Sequence, residues 1–246
     1  MDTLARRKTI VIIGASGHGG MILDCIQTEN KFSVLGFLDS YKTKGTMFNG
    51  YEILGNEQEL PNLMKEHNLY GAIIAIGNNW TRGAMVDKLK VVAPQLNFVS
   101  IIHPSSIISK SAQIGKGTII MPGTIINSNS NIGNFCILNT NSSLGHDGKM
   151  GDFSSISSGV CTGGNLLLGK FSAISLGSNI IENITIGEHS LIGAGSLVIK
   201  NVLDKSIVHG SPARFIRHRD VEDPYLKGDV TVQKLNGAMT RNRYEQ

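Results

Sequence analysis

The sequence predicts an α/β domain followed by an all-β solenoid, a parallel β-helix. Three observations carry that expectation. An aliphatic residue returns every sixth position from Ile108 to Val198, broken only at Thr162. Small residues mostly fill the fourth place after each of these rungs, and glycine often fills the first. The residues before the ladder instead alternate short apolar runs with helical patterns.

Thr9–Ile13 reads as a buried strand opening into Gly14-Ala15-Ser16-Gly17-His18-Gly19-Gly20. Met21, Ile22, Cys25 and Ile26 continue it as a helical face, and Phe32–Leu38 is a second strand ending at Asp39. Residues 56–68 read as helix, Tyr70–Ile76 as a strand ending at Gly77-Asn78-Asn79, residues 81–92 as helix and Phe98–Ile102 as strand. This β-α-β order implies a small parallel sheet with its ligand crevice at the carboxyl ends of the strands. The glycine loop, Asp39 and Gly77-Asn78 all fall there. A glycine-rich turn entering a helix lets backbone N–H groups approach a phosphate, and the helix dipole favours the negative charge. An acid after the second strand can accept hydrogen bonds from a ribose or a base. The loop is not G-x-G-x-x-G, which disfavours a redox dinucleotide and leaves a nucleotide.

The ladder itself runs Ile108, Ile114, Ile120, Ile126, Ile132, Leu138, Leu144, Met150, Ile156, Leu168, Ile174, Ile180, Ile186, Ile192 and Val198. A period of six fits neither a helix nor simple alternation. Three hexads make a triangular coil of eighteen residues, so residues 108–198 give about five coils, roughly 24 Å tall at a strand spacing of ~4.8 Å. The glycines are expected to supply unusual backbone angles and the small residues to fill tight corners.

Composition bounds the partners. The chain has 246 residues, a formal charge of +4 and 17% charged residues, too mild a balance to argue for nucleic acid. Cys25, Cys136 and Cys161 are too scattered for a disulfide framework or a zinc site. No signal peptide is evident, and no segment approaches the ~20 apolar residues of a membrane span, so a cytoplasmic location is expected. Arg214, Arg217, Arg219, Lys227, Lys234, Arg241 and Arg243 gather late, as a solvated tail or as contacts to a phosphate-bearing ligand.

Of seven histidines, His146 has the most chemical context. It lies in Leu144-Gly145-His146-Asp147, at the third place of its hexad, and should point outward. An imidazole beside a carboxylate is the pair that general-base chemistry needs, the ring to take a proton and the acid to hold it in one tautomer. Counting one coil onward from His146 gives Gly164, in Thr162-Gly163-Gly164-Asn165, where the ladder fails. The Gly164 N–H is a candidate oxyanion donor. Asn139 and Ser157 share a column by the same count.

The ladder and the closing Gly210-Ser211-Pro212-Ala213-Arg214 resemble the hexapeptide-repeat acyltransferases, whose repeats wind as a left-handed β-helix. Gly14-Ala15-Ser16-Gly17-His18-Gly19, Phe37-Leu38-Asp39, Ala75-Ile76-Gly77-Asn78-Asn79 and His103-Pro104-Ser105 narrow the match. Over residues 8–214 the chain resembles the PglD-like nucleotide-amino-sugar N-acetyltransferases and the related NeuD-like sialic-acid O-acetyltransferases. The resemblance implies a Rossmann-like nucleotide-sugar-binding domain over 1–102, a left-handed β-helix acyltransferase domain over 103–214, and a tail over 215–246 that carries no motif. It implies acetyl-CoA as co-substrate, no tightly bound cofactor, no metal, and a homotrimer with CoA in the groove between β-helices. The acceptor would be a UDP-, dTDP- or GDP-linked 4-amino-dideoxy sugar of bacterial surface-glycan synthesis, lipopolysaccharide included. His146 would be the base, Asp147 its orienting acid and Gly164 a backbone donor. Asp39 would read the nucleoside, with Gly14, Ser16, Gly17, His18, Gly77 and Asn78 around it. Asn139, Ser155 and Ser157 would lie near the active site or the pantetheine arm. Some relatives carry glutamates on both sides of the histidine; here Gly145 and Asp147 stand there, so the shorter Asp147 must reach the ring by a different geometry. Two alternatives stay open, a sialic-acid-type O-acetyltransferase and a non-enzymatic nucleotide-binding scaffold.

Overall fold

The computed structural model describes residues 7–223. The first half holds β1 (Lys8–Ile13), α1 (Gly17–Glu29), β2 (Phe32–Leu38), a small hairpin of β3 (Met47–Phe48) and β4 (Tyr51–Glu52), α2 (Leu60–Glu66), β5 (Gly71–Ile74) and α3 (Asn79–Val92). The sheet is parallel in the order β2-β1-β5. Ile10–Ile13 and Gly71–Ile74 are buried throughout, which is why both read as unbroken apolar runs. At the end of β1, Gly14 has φ +110°, and a Cβ there would lie 2.8 Å from the Ala75 carbonyl oxygen. Only glycine fits.

From β6 (Ile101–Ile102) to β22 (Leu197–Val198) each strand has two residues and pairs in parallel with one a coil away, as Ile107 does with Ile125 and Ile125 with Ser143. The strand starting at Ile107 opens the first face and the one at Gln113 the second, whereas the third is opened by β6 and continued by the strand at Ile119. The rungs point inward to form one core running from Ile120 to Val208. Most hydroxyls behind them are buried but satisfied, Ser142 Oγ being an exception among the described residues. Thr118 Oγ1 donates to Gly133 O at 3.0 Å, Ser130 Oγ to Gly145 O at 3.0 Å and Ser178 Oγ to Gly193 O at 2.9 Å.

Two expectations need correcting. Phe98–Ile102 is not one strand: Phe98 bridges to Ala72 in the α/β sheet, whereas Ile101 and Ile102 pair with Ile119 and Ile120 in the solenoid. The cause is register, since Ile102 stands six before Ile108 and is itself a rung. The glycines after the rungs also do a different job. Gly115, Gly133, Gly145 and Gly169 are not left-handed; a Cβ on Gly145 would fall 2.2 Å from Gly163 O, so the next coil's backbone occupies that space. The left-handed angles lie two places later. Asn129, Phe135, Asn141, Asp147, Phe153, Asn165, Phe171, Asn183 and His189 all have φ between 54° and 62°.

Phe135, Phe153, Phe171 and His189 stack along the corner between the second and third faces, with ring centroids 5.1, 4.8 and 4.9 Å apart. The α/β domain docks there, placing Phe98 edge-on to Phe135 and Trp80 against Phe171. Helix α1 adds Cys25 and Ile26 to a core shared with Ile119, Met121 and Ile137 of the third face. At the far end β23 (Ser206–Gly210) continues the third face, and β24 (Ala213–His218) turns back antiparallel. Arg219 is not a solvated tail residue. It is 3% exposed and donates to His189 O at 3.1 Å and Asp223 O at 2.6 Å. Arg217 pairs with Asp223 at 2.7 Å, and Arg214 is exposed. Lys227, Lys234, Arg241, Arg243 and the tail from residue 224 lie outside the described residues.

Candidate functional site

The chemistry divides between a solenoid corner and a crevice. Leu144 turns inward, Gly145 packs under the next coil, and His146 emerges between the first and second faces with 60% of its side chain exposed. Its Nδ1 lies 2.7 Å from Asp147 Oδ2. Asp147 reaches it from a left-handed backbone (φ 57°), and Asn129 Nδ2 donates to its other oxygen at 3.2 Å. These two bonds hold the Asp147 carboxyl below its ordinary range. With Nδ1–H assigned to the carboxylate, Nε2 is the free, basic nitrogen. It faces Gly164. A Cβ on Gly164 would lie 2.4 Å from Nε2, so only glycine leaves room for the ring one coil below.

Thr162 has a local cause. Gly133 N–H bonds the Met150 carbonyl and Gly151 N–H the Leu168 carbonyl, the regular pattern between coils. At the equivalent place Gly145 N–H bonds the Thr162 side-chain Oγ1 instead, at 3.1 Å. Of the strand pair here, only Ser143 and Cys161 remain in register. A hydroxyl thus substitutes for a carbonyl beside His146, and an aliphatic rung cannot offer that acceptor.

The crevice is a cleft of about 280 Å³ lined by Gly14, Ser16, Asp39 and Gly77, together with Ser40, Tyr41, Glu57, Thr81 and Met85. Asp39 Oδ2 accepts from Ala15 N–H at 2.8 Å, and Oδ1 accepts from Tyr41 and Lys42 N–H at 2.9 and 3.1 Å. The carboxylate therefore ties the glycine loop to the end of β2. Asn78 caps α3, accepting from Thr81 N–H at 3.0 Å and Thr81 Oγ1–H at 3.1 Å. Gly17 opens α1, and nothing lies within 4 Å of a Cβ placed on it, so the protein's own packing does not require glycine there. His18 Nε2 is buried with no hydrogen-bond partner among the described residues. Burial first, and the Arg82 charge second, pull its pKa down to about 4, so the ring is neutral near pH 7.

The structure separates the remaining expected residues. Ser155 is 4% exposed beneath the α/β domain, donating to Asn79 Oδ1 at 2.6 Å and accepting from Arg82 Nη2 at 3.2 Å. Its hydroxyl serves the domain junction. Asn139 and Ser157 follow third-face strands, at the corner with the first face, so within one chain they do not adjoin His146. Sequence reasoning missed Glu57, Asn79 and Arg82. Glu57 is 1% exposed, accepts from Ser40 Oγ at 3.0 and 3.2 Å and pairs with Lys88; despite the opposing effect of burial, these partners hold its pKa below the ordinary value. No periodicity marks these three, because they matter through residues distant in sequence. Among the described residues, no helix is long and apolar enough to cross a membrane, and no cluster of three or more His, Cys, Asp or Glu is placed to hold a metal.

This architecture is shared with known proteins. Residues 9–89 match the PglD N-terminal domain family. Over 112 residues the chain is 34% identical to the UDP-N-acetylbacillosamine N-acetyltransferase of Bacillus subtilis (strain 168). That match takes in 45% of this chain and 50% of the relative, about half its length. PerB from Caulobacter crescentus, solved in complex with CoA and GDP-perosamine, is 28% identical at a TM-score of 0.79, over 88% of this chain and 100% of that one. The acetyltransferase domain of PglB from Neisseria gonorrhoeae FA1090, solved in complex with acetyl coenzyme A, is 26% identical at a TM-score of 0.77, over 85% and 100%.

Proposed function

We propose that this chain is an acetyl-CoA-dependent N-acetyltransferase acting on a nucleotide-linked amino sugar. The observation that carries the reading is the His146 ring seated between the Asp147 carboxylate and the Gly164 backbone, on a solenoid joined to a glycine-lined crevice. The sugar amine attacks the thioester carbonyl carbon while His146 Nε2 takes the proton from the attacking nitrogen. The oxygen of the tetrahedral adduct accepts a hydrogen bond from Gly164 N–H, and Asp147 stabilises the imidazolium. Collapse breaks the carbon–sulfur bond, and the imidazolium returns its proton to the leaving CoA sulfur. Atoms and protons balance without an acyl-enzyme or a metal.

The crevice takes the nucleotide, with Gly14, Ser16, Asp39 and Gly77 as walls and the α1 N-terminus, Gly17 included, toward the diphosphate. Two of the named relatives handle UDP- and GDP-linked amino sugars, which supports that acceptor class. Within one chain His146 and the docked α/β domain occupy different corners of the triangle. A homotrimer with parallel solenoids brings them together across subunits, with Asn139 and Ser157 of the third-to-first corner beside the pantetheine arm. Ser155 is left out of that arm's contacts. The enzyme would work in the cytoplasm, in bacterial surface-glycan synthesis.

The test is release of CoA thiol from acetyl-CoA with UDP-, dTDP- and GDP-linked 4-amino sugars, against free and CMP-linked nonulosonic acids. Turnover with an amino sugar supports N-acetylation. Turnover with the nonulosonic acids alone would replace it with O-acetylation, and no acetyl-CoA affinity would leave a binding scaffold. Sedimentation should give three chains; a monomer with full activity would refute the shared site.

A further inference from the structure

We propose that Arg82 is a positioning residue, fixing the height of the nucleotide crevice against the two coils that carry His146 and Gly164. The inference rests on the acetyl-transfer reading above and asks how its two halves are held in register. Arg82 is 0% exposed and lies in the first turns of α3. At one end its Nη1 donates to Ile76 O at 2.8 Å and Gly77 O at 2.9 Å, the segment that forms a wall of the crevice. At the other end Nε donates to Phe135 O at 2.8 Å, and Nη2 donates to Phe153 O at 3.0 Å and Ser155 Oγ at 3.2 Å. A further bond from Nη2 holds Asn79 Oδ1 at 2.7 Å, and Asn79 Nδ2 donates onward to Phe171 O at 3.3 Å and Ser172 O at 3.0 Å.

The carbonyls of Phe135, Phe153 and Phe171 form one column, each a coil above the last. Among the described residues, no backbone N–H of a neighbouring coil takes any of the three. Two side chains of the α/β domain take all three. The stretch from Phe135 to Phe153 contains His146, and the stretch from Phe153 to Phe171 contains Gly164. The crevice wall is thus bolted to the coils that bear the proposed base and oxyanion donor. In a trimer whose threefold axis runs along the solenoids, height is the same in every subunit. A clamp within one chain therefore also sets the height of its bound amine against His146 of a neighbour. A guanidinium suits the task because its planar fork holds several oxygens at fixed angles, which an ammonium on a flexible stem does not.

Arg82→Lys in the full chain tests this. The expected protein melts cooperatively and binds acetyl-CoA and the free nucleoside diphosphates UDP and GDP within about twofold of wild type. Its kcat toward the amino sugar falls about 10- to 100-fold, as misplacement of a reacting group by about an ångström does. Asn79→Ala should show the same split more weakly, and it serves if Arg82→Lys does not fold. A folded variant with wild-type kcat overturns the proposal, as does one losing nucleotide affinity and kcat in equal proportion. Spin labels on Lys65→Cys and Lys149→Cys, in a Cys161→Ser background, read the register without turnover. Their distance distribution should broaden in Arg82→Lys, and an unchanged distribution also overturns the proposal. A wild-type protein that acetylates no amino sugar would refute the preceding reading, while the label distances still judge this one.

Discussion

His146 and Asp39 are held by opposite means. In the solenoid, the surroundings of His146 come from residues one coil away: Asn129 below supports its acid and Gly164 above seats its ring. In the α/β domain, Asp39 is fixed by three N–H groups that its own carboxylate gathers from two loops. A repeat gives each residue its neighbours by counting. A crevice must build them one side chain at a time, so a single change there should disturb more of its surroundings.

Four changes probe that difference. His146→Ala should lower kcat by roughly 10²- to 10⁴-fold, with acetyl-CoA affinity unchanged by calorimetry, because the coil around it survives. Turnover near the wild-type rate would remove the base assignment. On the crevice side, pH should show the contrast without mutation. The pKa of His18 falls from 6.5 to about 4 on folding, so between these values the unfolded chain binds the extra proton. Stability therefore rises with pH through that window and is lost as pH drops from 6.5 toward 4, by up to about 3 kcal/mol. Urea midpoints at pH 7 and 4.5 should converge in His18→Asn; an identical slope in both proteins would place the acid sensitivity elsewhere.

Gly164→Ala sharpens the solenoid side. The added methyl group collides with His146 Nε2, so kcat should fall about 10²-fold while the melt changes little. Gly195→Ala is the control: its φ is +67° with open space around a Cβ, so it should cost only about 1–2 kcal/mol of stability. Equal activity in the two variants would deny the stack any role. Asp39→Asn should have the smallest effect, raising KM for the nucleotide sugar about tenfold and leaving KM for acetyl-CoA alone. A shift in both constants would mean that the crevice and the solenoid are less independent than their geometry suggests.

The same contrast explains what could be read without coordinates. The period located the solenoid, and the count of eighteen brought Gly164 against His146, because in a repeat sequence distance is spatial distance. It did not tell which places are left-handed. Asn, Asp, Phe and His share that duty with glycines such as Gly117 and Gly195, three places after the rungs, and a Cβ clash is visible only when the next coil is present. Ser155 shows the limit from the other side: its place on the third face was countable, but the arrival of Asn79 and Arg82 over it was not. In the α/β domain the glycine loop and Asp39 were legible as a crevice, since they end consecutive strands. Glu57 was not, because its partners Ser40 and Lys88 meet it only after folding.

The antiparallel return of β24 bears on a different question, that of why the parallel stacking ends on the third face. Each coil of a parallel solenoid ends in an edge that another coil of the same kind would fit, and nothing in six-residue repeats forbids a second molecule from supplying it. On the third face that edge is consumed by β23, and β24 then runs the wrong way for a further parallel strand. It also shows solvent the charges of Arg214 and Arg217. The hairpin makes the repeat a finite object on that face, and a chain cut before Ser206 would offer a growing end from which filaments could extend.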